Sequence, residues 1–491
     1  MMNNKNELVR VFVKGGILSP LDMKKIVLTA EELGASYVHF GSRQDMLFPI
    51  KEDNKGKLKK TFESIQTDYD YNQLKHQNIV TSYIADGILP TTPWLHIDIY
   101  HYIMEDIDYK HQLQINITDP KQTLVPLFTG NLNFVASEFE NYWFLYLRFP
   151  RGEKVLEEWP VLVFSYDIPK VAKVLEEIYF DQGQLPINEL FEHTINRVST
   201  NNRNIENKLK LPEGIFPYYE GFHKMEGDNY WLGLYWRNNK YDIEFIKHFC
   251  DLCMTADTVK QIIITPWKSF IIKGIQWKER IKWEKLLGKF GINIRHSSVE
   301  LNWHLPLLDK QALELKRYLV RAFDQNDIST YGLTFTIKTA PMVLFTSIVI
   351  EKNRTSRYAH KYDLITTFNI LYSKDFNPNS TEYMTFAEEV EKEDLAPLLM
   401  ELSKMYYKQL KYSPAPKAVT TTKPGVLFTK VYQCKNCLTI YNKDYGDPES
   451  GIVAGTSFEM LPDTYRCPLC DEHKSNYELM EVHELISVGK C

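Results

Sequence analysis

CKNCLTIYNKDYGDPESGIVAGTSFEMLPDTYRCPLC, residues 434–470, carries the strongest structural signal in the C-terminal part of this chain. It begins and ends with a Cys-x-x-Cys pair, and 29 residues separate Cys437 from Cys467. Two such pairs can bring four thiolates to the corners of a tetrahedron, which suits zinc or a single iron. Structural zinc ribbons usually have a shorter separation, of roughly 15–20 residues. The residues between the pairs therefore have to distinguish the two metals.

These intervening residues resemble the rubredoxin family. The family pattern is CxxC, then GDPxxGIxPGTxFxxLPDxWxCPxC, then a lysine and an aromatic residue. The matching positions here are 446–448, 451–452, 455–456, Phe458, 461–463, Lys474 and Tyr477. The resemblance covers the whole segment and implies a small, loop-rich domain with an aromatic core around its metal.

The resemblance also implies the ligands and the chemistry. Cys434, Cys437, Cys467 and Cys470 are expected to hold one iron that carries single electrons, with zinc as the alternative metal. Leu438 and Asp471 stand where the family usually has glycine after each pair, and Ala454 replaces a usual proline. These departures change turns next to the metal, but none of them removes a ligand.

The bulk composition limits the environment and the partners. The chain has 491 residues, a formal charge of −5 and seven cysteines. Without a net positive charge we expect no nucleic-acid partner, and no run approaches the roughly 18–20 apolar residues of a membrane helix. The N-terminus has no apolar core of a signal peptide. The cysteine pairs indicate metal binding in a reducing compartment, and we expect the cytoplasm.

A linker and an internal repeat divide the chain. Residues 411–426 (KYSPAPKAVTTTKPGV) form a Pro- and Thr-rich linker before the rubredoxin-like domain, 427–491. Upstream, a helix, turn, strand, loop and strand order occurs twice, with Ser42-Arg43-Gln44 and Pro266-Trp267-Lys268 224 positions apart. LQINITDP at 113–120 and LTFTIKTAP at 333–341 are about 220 apart. We therefore predict an α+β fold with two repeats, 1–210 and 211–410.

The first repeat resembles the nitrite and sulfite reductases, sirohaem enzymes built from two ferredoxin-like half-domain repeats. GGILSP at 15–20 and the loop Ser42-Arg43-Gln44 match the family's "GGRLTPEQL…LTTRQN" segment, whose arginine lies at the haem and anion site. QNIVT at 77–81 and GFHKMEG at 221–227 resemble two further family segments in the same order. The resemblance therefore implies two ferredoxin-like, sulfite-reductase-like repeats.

The cysteines of that family's iron–sulfur cluster are missing. Besides the four cysteines of the two pairs the chain has only Cys250, Cys253 and Cys491, too few to hold a four-iron four-sulfur cluster. The sequence therefore argues against that cluster and against sirohaem bound in the usual way. An anion or tetrapyrrole pocket without the cluster is the remaining interpretation. We assign Arg43 and Lys268 to it, while a solvated surface position is the simpler account of each.

These observations favour an electron carrier over an enzyme. In this interpretation the iron centre takes an electron from a redox protein and passes it to a reductase. The repeats then form a degenerate docking platform, in nitrite, nitrate or sulfite assimilation. One alternative is a reductase that keeps a sirohaem-like ligand between its repeats and is fed by the iron. Another is a structural zinc site without redox chemistry.

Overall fold

A computed structural model of the chain describes residues 8–72, 75–150, 155–225, 227–256, 258–292, 300–353, 357–360, 363–412, 428–436, 439–441, 443, 446–447, 450–453, 455–468 and 471–483. The chain forms two compact units, Met1–Lys408 and Gln409–Cys491. No helix among these residues is long and apolar enough to cross a membrane. The predicted combination of helices and sheets is confirmed.

Two five-stranded sheets and a helix pair build the first layer of unit Met1–Lys408. Sheet 1 contains β1 (Leu8–Val11), β3 (Tyr37–Phe40), β4 (Met46–Pro49), β5 (Tyr69–Tyr71) and β15 (Tyr241–Asp242), in the order β15-β3-β4-β1-β5. Sheet 2 contains β2 (Ile17–Leu18), β13 (Gly221–Lys224), β14 (Asn229–Leu234), β16 (Ile262–Ile264) and β17 (Phe270–Gln276), in the order β13-β14-β17-β16-β2. One continuous hydrophobic core joins the two sheets.

Each of these sheets contains a short strand from the other half of the unit. Strand β2 pairs antiparallel with β16, and β15 pairs antiparallel with β3. The exchanged strands lie at positions 17–18 and 241–242, which are 224 apart, the same offset as the two loops aligned above. Because each edge is completed by the other half, the two sheets form a single folding unit.

Equivalent helices follow the exchanged strands. Helix α1 (Pro20–Glu32) begins after Ser19, whose hydroxyl accepts a hydrogen bond from the Asp22 amide at 3.1 Å. Helix α6 (Ile243–Thr255) begins after Asp242, which accepts from the Phe245 amide at 3.2 Å. The two helices pack together and exchange ion pairs: Lys24–Asp251 at 2.5 Å, and Lys247–Glu31 at 3.1 Å.

Two further sheets share one strand pattern. Sheet 3 contains β6 (Val80–Thr81), β7 (Ile115–Thr118), β8 (Leu132–Ala136), β9 (Tyr142–Leu147), β10 (Glu157–Glu158), β11 (Val161–Phe164) and β12 (Asn202–Asn204). Sheet 4 contains β18 (Trp303–His304), β19 (Phe335–Lys338), β20 (Ile348–Lys352), β23 (Phe368–Ser373) and β24 (Tyr383–Val390). In each sheet two parallel pairings precede an antiparallel one, β6-β7-β8-β9 and β18-β19-β20-β23. Strands β7 and β19 are 220 positions apart, as the aligned segments predict.

The remaining elements of this unit cover the sheets or connect them. They are α2 (Leu58–Ile65), α3 (Ile97–Asp106), α4 (Ile168–Gln182), α5 (Ile187–Arg197), α7 (Arg280–Lys289), α8 (Lys310–Gln325), β21 (Arg357–His360), β22 (Asp363–Ile365) and α9 (Lys392–Tyr412). Helices α3 and α8 supply the crossovers between the first two parallel strands of sheets 3 and 4. Helix α9 extends to Tyr412, so the first two residues of the predicted linker are helical, and the linker boundary stays a prediction. Most of that linker lies outside the described residues, and the repeat boundary at 210 stays a prediction.

Unit Gln409–Cys491 contains a small antiparallel sheet and long loops. Its strands are β25 (Phe428–Cys434), β26 (Ile440–Tyr441) and β27 (Tyr477–His483), in the order β26-β25-β27. A compact core joins Cys434 and Cys467 to the aromatic side chains predicted to surround the metal. With so little regular structure, a domain of this size depends on its core and its metal for stability.

Candidate metal centre

The first cysteine of each pair begins a similar backbone turn. Cys434 is the last residue of β25, and its amide donates to the carbonyl oxygen of Thr439, five residues later, at 2.8 Å. The Cys467 amide donates in the same way to Glu472, also five residues later, at 2.7 Å. Both cysteines are buried, at 0% and 2% exposure. The two turns therefore present two shielded sulfur atoms on matching loops.

The other two predicted ligands, Cys437 and Cys470, lie outside the described residues. The complete arrangement of four thiolates therefore stays a prediction. Of the positions where the sequence departs from the family pattern, Asp471 is described. Its φ is 60°, and its amide donates to the Cys467 carbonyl at 2.9 Å. The second turn thus keeps the left-handed backbone that glycine usually supplies, while Leu438 and Ala454 are outside the described residues.

Aromatic rings form the wall behind the two sulfur atoms. Phe458 stacks on Tyr432 with ring centroids 4.1 Å apart and contacts Tyr477 at 4.9 Å. Burial raises the pKa of Tyr477, and the neighbouring Cys467 raises that pKa further. The Tyr477 hydroxyl therefore stays protonated beside the sulfur. The sequence predicts this ring in the core, but it gives no signal for the effect of Cys467 on the pKa of its hydroxyl.

A tight loop follows the first cysteine turn of the domain. The Asp447 amide donates to the Ile452 carbonyl at 2.9 Å, and the Ile452 amide donates back at 2.8 Å. The buried Asp447 carboxylate accepts from the Ser450 amide and hydroxyl at 3.2 and 2.8 Å. Lys474 donates to the Leu461 carbonyl at 2.5 Å. The family-like residues of this segment thus stabilise loops and leave the cysteines as the only thiol donors of the described core.

The described part of the site fits a thiolate-bound metal. Two buried sulfur atoms, matching turns and an apolar wall are what a four-thiolate iron or zinc centre requires. Backbone N–H groups of such turns stabilise negative charge on sulfur. A closed set of four thiolates leaves no position for substrate, so the arrangement suits electron transfer or a structural role.

The predicted pocket residues of the other unit line one cavity. Arg43 and Lys268 share a space of about 440 Å³ with Arg10, Asp45 and His304. Arg43 and Lys268 lie in equivalent loops. Gln44, the residue after Arg43, is 224 positions before Lys268, and both have left-handed backbone, with φ of 58° and 61°. The structure thus brings together the two residues that the sequence assigns to one site.

Arg43 is held in place by the protein itself. Its guanidinium donates to Asn116 Oδ1 at 2.6 Å and to the carbonyls of Asn78 and Ile115 at 2.7 and 2.9 Å. Its buried Nε has no hydrogen-bond partner among the described residues. Burial lowers the pKa of Arg43 to about 9, and the nearby Asp45 carboxylate opposes that change. The surface position considered for Arg43 is therefore wrong, because the residue is only 9% exposed.

The ammonium group of Lys268 is also buried. Its ammonium group donates to the Leu305 carbonyl. Burial, followed by repulsion from Lys316, lowers the pKa of Lys268 to about 7. Burial and the Lys268 charge also lower the pKa of His304, so the imidazole is neutral at neutral pH. Lys268 can therefore take up a proton when an anion enters, and this adds a positive charge to the cavity.

Sequence reasoning missed three of the charged or polar lining residues. Arg10 lies on β1 and pairs with Asp45 at 3.2 Å, and its Nη1 has no partner in the described part of the chain. Asp45 is 2% exposed, and His304 lies on β18. A lone arginine in the alternating stretch LVRV carries no signal of its own, because the sheet pairing alone brings it to the cavity.

Comparison with known families agrees with both resemblances. The rubredoxin family model matches residues 431–477. The model of the nitrite/sulfite reductase ferredoxin-like half domain matches residues 2–65. The predicted fusion of the two kinds of domain is confirmed.

Individual relatives match the C-terminal domain. Rubredoxin-2 of Chlorobaculum tepidum is 50% identical over 46 residues, which cover 9% of this chain and 88% of that protein. The high molecular weight rubredoxin of Moorella thermoacetica is 38% identical over 79 residues, 15% of this chain. The match spans only 34% of the Moorella protein.

A solved structure matches the larger part of the chain. The Mycobacterium tuberculosis NirA protein aligns with a TM-score of 0.63 over 84% of this chain and 82% of that one, at 13% sequence identity. Identity this low establishes a shared fold, and it carries no statement about a shared reaction. The predicted sulfite-reductase-like architecture is confirmed.

Proposed function

This chain belongs to the rubredoxin family through its C-terminal domain, and on that premise we propose that it is a one-electron carrier that docks redox proteins through its larger unit. One iron, held by Cys434, Cys437, Cys467 and Cys470, would alternate between the ferric and ferrous states. The observation that carries the proposal is the pair of buried cysteines, Cys434 and Cys467, on matching turns.

The residues around the sulfurs would keep the site rigid and dry. The aromatic wall formed by Tyr432, Phe458 and Tyr477 limits water access. The paired hydrogen bonds between Asp447 and Ile452 fix the loop that they close. A site that moves little between its two charge states needs little rearrangement for each electron. The site requires cysteines that are not oxidised to disulfides, which a reducing compartment such as the cytoplasm would preserve, and metal binding deprotonates them.

A visible spectrum tests this proposal. Natively purified protein is expected to show ferric–thiolate absorption that bleaches with dithionite, at about one iron per chain by elemental analysis. A colourless protein with stoichiometric zinc would first be unfolded and refolded with ferrous iron, because zinc also suits four thiolates. Failure to take up iron would contradict the electron-transfer function and favour structural zinc.

The larger unit would act as the docking platform. We assign the donor to a flavin or iron–sulfur protein and the acceptor to a reductase. The sulfite-reductase-like fold favours an acceptor in nitrite, nitrate or sulfite assimilation. From residue 427 onward the chain carries ten acidic and six basic residues, a charge that favours partners with a basic face. We expect neither nucleic acid nor a membrane among the partners.

A second candidate function is a reductase with a ligand in the unit's own cavity. Arg10, Arg43 and Lys268 around one space favour an anion or a tetrapyrrole carboxylate there. No cysteine is among the described residues that line it, so these residues do not fit a four-iron cluster that shares a thiolate with sirohaem. We therefore propose no such cluster and no sirohaem bound in that way.

Nitrite binding distinguishes the two candidates. If the cavity binds an anion, nitrite should bind more tightly at pH 6 than at pH 9, because protonated Lys268 attracts it. Chloride at equal ionic strength is the control. Tetrapyrrole bands in the native spectrum would favour the reductase, whereas neither bands nor nitrite binding would leave the unit as a platform.

A further inference from the structure

A second cavity of unit Met1–Lys408 has a different chemical character. It encloses about 450 Å³ between the C-terminal end of α8, the loop that follows this helix, and residues 216–218. The bridge between Phe216 and Gly332 connects two sides, with the Phe216 amide donating to the Gly332 carbonyl at 3.0 Å. The reductase and electron-transfer proposals use none of these residues.

The charges around this cavity are all negative. Asp324 and Asp327 line it, and the described lining residues include neither lysine nor arginine. No described basic side chain forms an ion pair with either carboxylate. Helix α8 has 16 residues and no basic residue in its last turn, so no positive side chain of that turn opposes the negative end of the helix dipole.

An unsatisfied hydrogen-bond acceptor in the cavity wall also favours a ligand with N–H groups. Asn302 is 2% exposed and lines the cavity. Its Nδ2 donates to the Leu333 carbonyl at 2.8 Å and makes longer contacts with Thr330, which fixes the orientation of the amide. Its buried Oδ1 accepts no hydrogen bond from the residues that the structure describes. A buried acceptor without a partner is costly, and a ligand with N–H groups would relieve that cost.

Two partly exposed tyrosine residues line the cavity. Tyr218 and Tyr331 are 41% and 55% exposed although both are large side chains. Tyrosine faces attract cations and also cover apolar carbon chains. The volume of about 450 Å³ is within the range of small-molecule sites.

We propose that this cavity binds an organic cation, an ammonium or guanidinium group on a short apolar body. The positive group would lie between Asp324 and Asp327, its N–H groups would reach towards Asn302, and Tyr218 and Tyr331 would cover the carbon chain. The same chemistry is offered by a free amine and by an arginine side chain of another protein. The proposal is independent of the iron centre and of the cavity lined by Arg10, Arg43 and Lys268, which we call the basic cavity.

Calorimetric titration of the full chain with agmatine tests the proposal. We expect a Kd of about 0.1–1 mM at low ionic strength, from a ligand of this size. N-butylurea, which has a similar shape but no charge, should show no binding. Asp324→Asn and Asp327→Asn should each weaken agmatine binding by about three- to tenfold, because each removes one negative charge beside the ligand.

Asp181→Asn is the matched control. Asp181 is an exposed aspartate at the penultimate position of α4, as Asp324 is of α8, and its replacement should leave Kd unchanged. Asparagine also tolerates the left-handed backbone of Asp327, whose φ is 50°, so this variant should fold. Unchanged far-ultraviolet circular dichroism would verify folding of all three variants.

The tripeptide Ac-Gly-Arg-Gly-NH2 distinguishes the two sources of the cation. Tighter binding of the tripeptide than of agmatine would assign the cavity to a protein side chain, and weaker binding to a free amine. The proposal is overturned if agmatine does not bind, if N-butylurea binds equally well, or if both aspartate variants retain the Kd of the unchanged chain.

Discussion

A β-carbon at Gly446 would lie 2.5 Å from the carbonyl oxygen of Ile452. The same carbonyl accepts the hydrogen bond of Asp447, so the loop cannot open without losing that bond. Gly446 also has a φ of 62°. Close packing and backbone conformation therefore both require glycine here. Gly451, five residues later, has a φ of 73° but no atom within 4 Å of the equivalent position.

This contrast predicts different costs for the same substitution. Gly451→Ala should destabilise the metal domain by about 1 kcal/mol, from backbone strain alone. Gly446→Ala should cost more than about 2 kcal/mol, because strain and a steric clash add. The rate of metal loss to a chelator, followed by mass spectrometry, measures both. Equal rates of metal loss from the two variants would show that the loop accommodates a β-carbon at position 446 without an additional free-energy cost.

The cysteines provide a second prediction. Cys434→Ser and Cys467→Ser should each reduce the bound metal from about one per chain to a small fraction, because a hydroxyl is a poor replacement for a thiolate. Cys491→Ser, outside both pairs, should bind metal normally. Elemental analysis of the purified variants decides. Full metal occupancy in Cys434→Ser or Cys467→Ser would show that the replaced cysteine is not a ligand.

Parts of this metal domain could be predicted from sequence because their chemistry is local. Cysteine spacing and the glycine at 446 report on turns a few residues long, and the structure has these turns. Asp471 shows the limit: a non-glycine residue predicts altered strain, yet the backbone keeps a φ of 60°. Aspartate tolerates this region better than most residues, so the turn survives the change.

The exchanged strands could not be predicted in the same way. Ile17-Leu18 has only two residues, and its partner β16 lies more than 240 positions later. The repeat was detectable because helices α1 and α6 keep their periodicity, but pairing across the repeats leaves no local pattern. The Arg10–Asp45 pair in the basic cavity was missed for the same reason, since only the register of β1 with β4 brings Arg10 there.

Strand exchange predicts that neither repeat is stable alone. Residues 1–210 would lack β15 and expose the edge of β3, while residues 211–408 would lack β2 and expose β16. Unpaired edges of this kind promote aggregation or strand-swapped dimers. Size-exclusion chromatography with light scattering should show such species for each half. A soluble complex should form when the halves are co-expressed, and a monomeric half with cooperative unfolding would contradict the expectation.

The buried lysine of the basic cavity predicts how stability changes with pH. The pKa of Lys268 is lowered from 10.5 to about 7 in the folded chain, mainly by burial. Between these values the unfolded chain binds a proton at Lys268 and the folded chain does not. The free energy of unfolding should therefore rise as pH increases from about 7 to 10, and this gain is absent below the folded pKa.

Lys268→Met should remove that contribution. The free energy of unfolding of the unchanged chain, compared with that of the variant, should increase by an amount on the order of 2–4 kcal/mol between pH 6 and pH 10. Lys59→Met, at an exposed position of α2, is the control and should leave the pH profile unaltered. Urea titrations at several pH values measure these differences. If the difference in the free energy of unfolding between the unchanged chain and Lys268→Met does not change with pH, Lys268 stays charged in the folded protein. The cavity would then carry this positive charge at every pH tested, and anion binding there would show no pH dependence from Lys268.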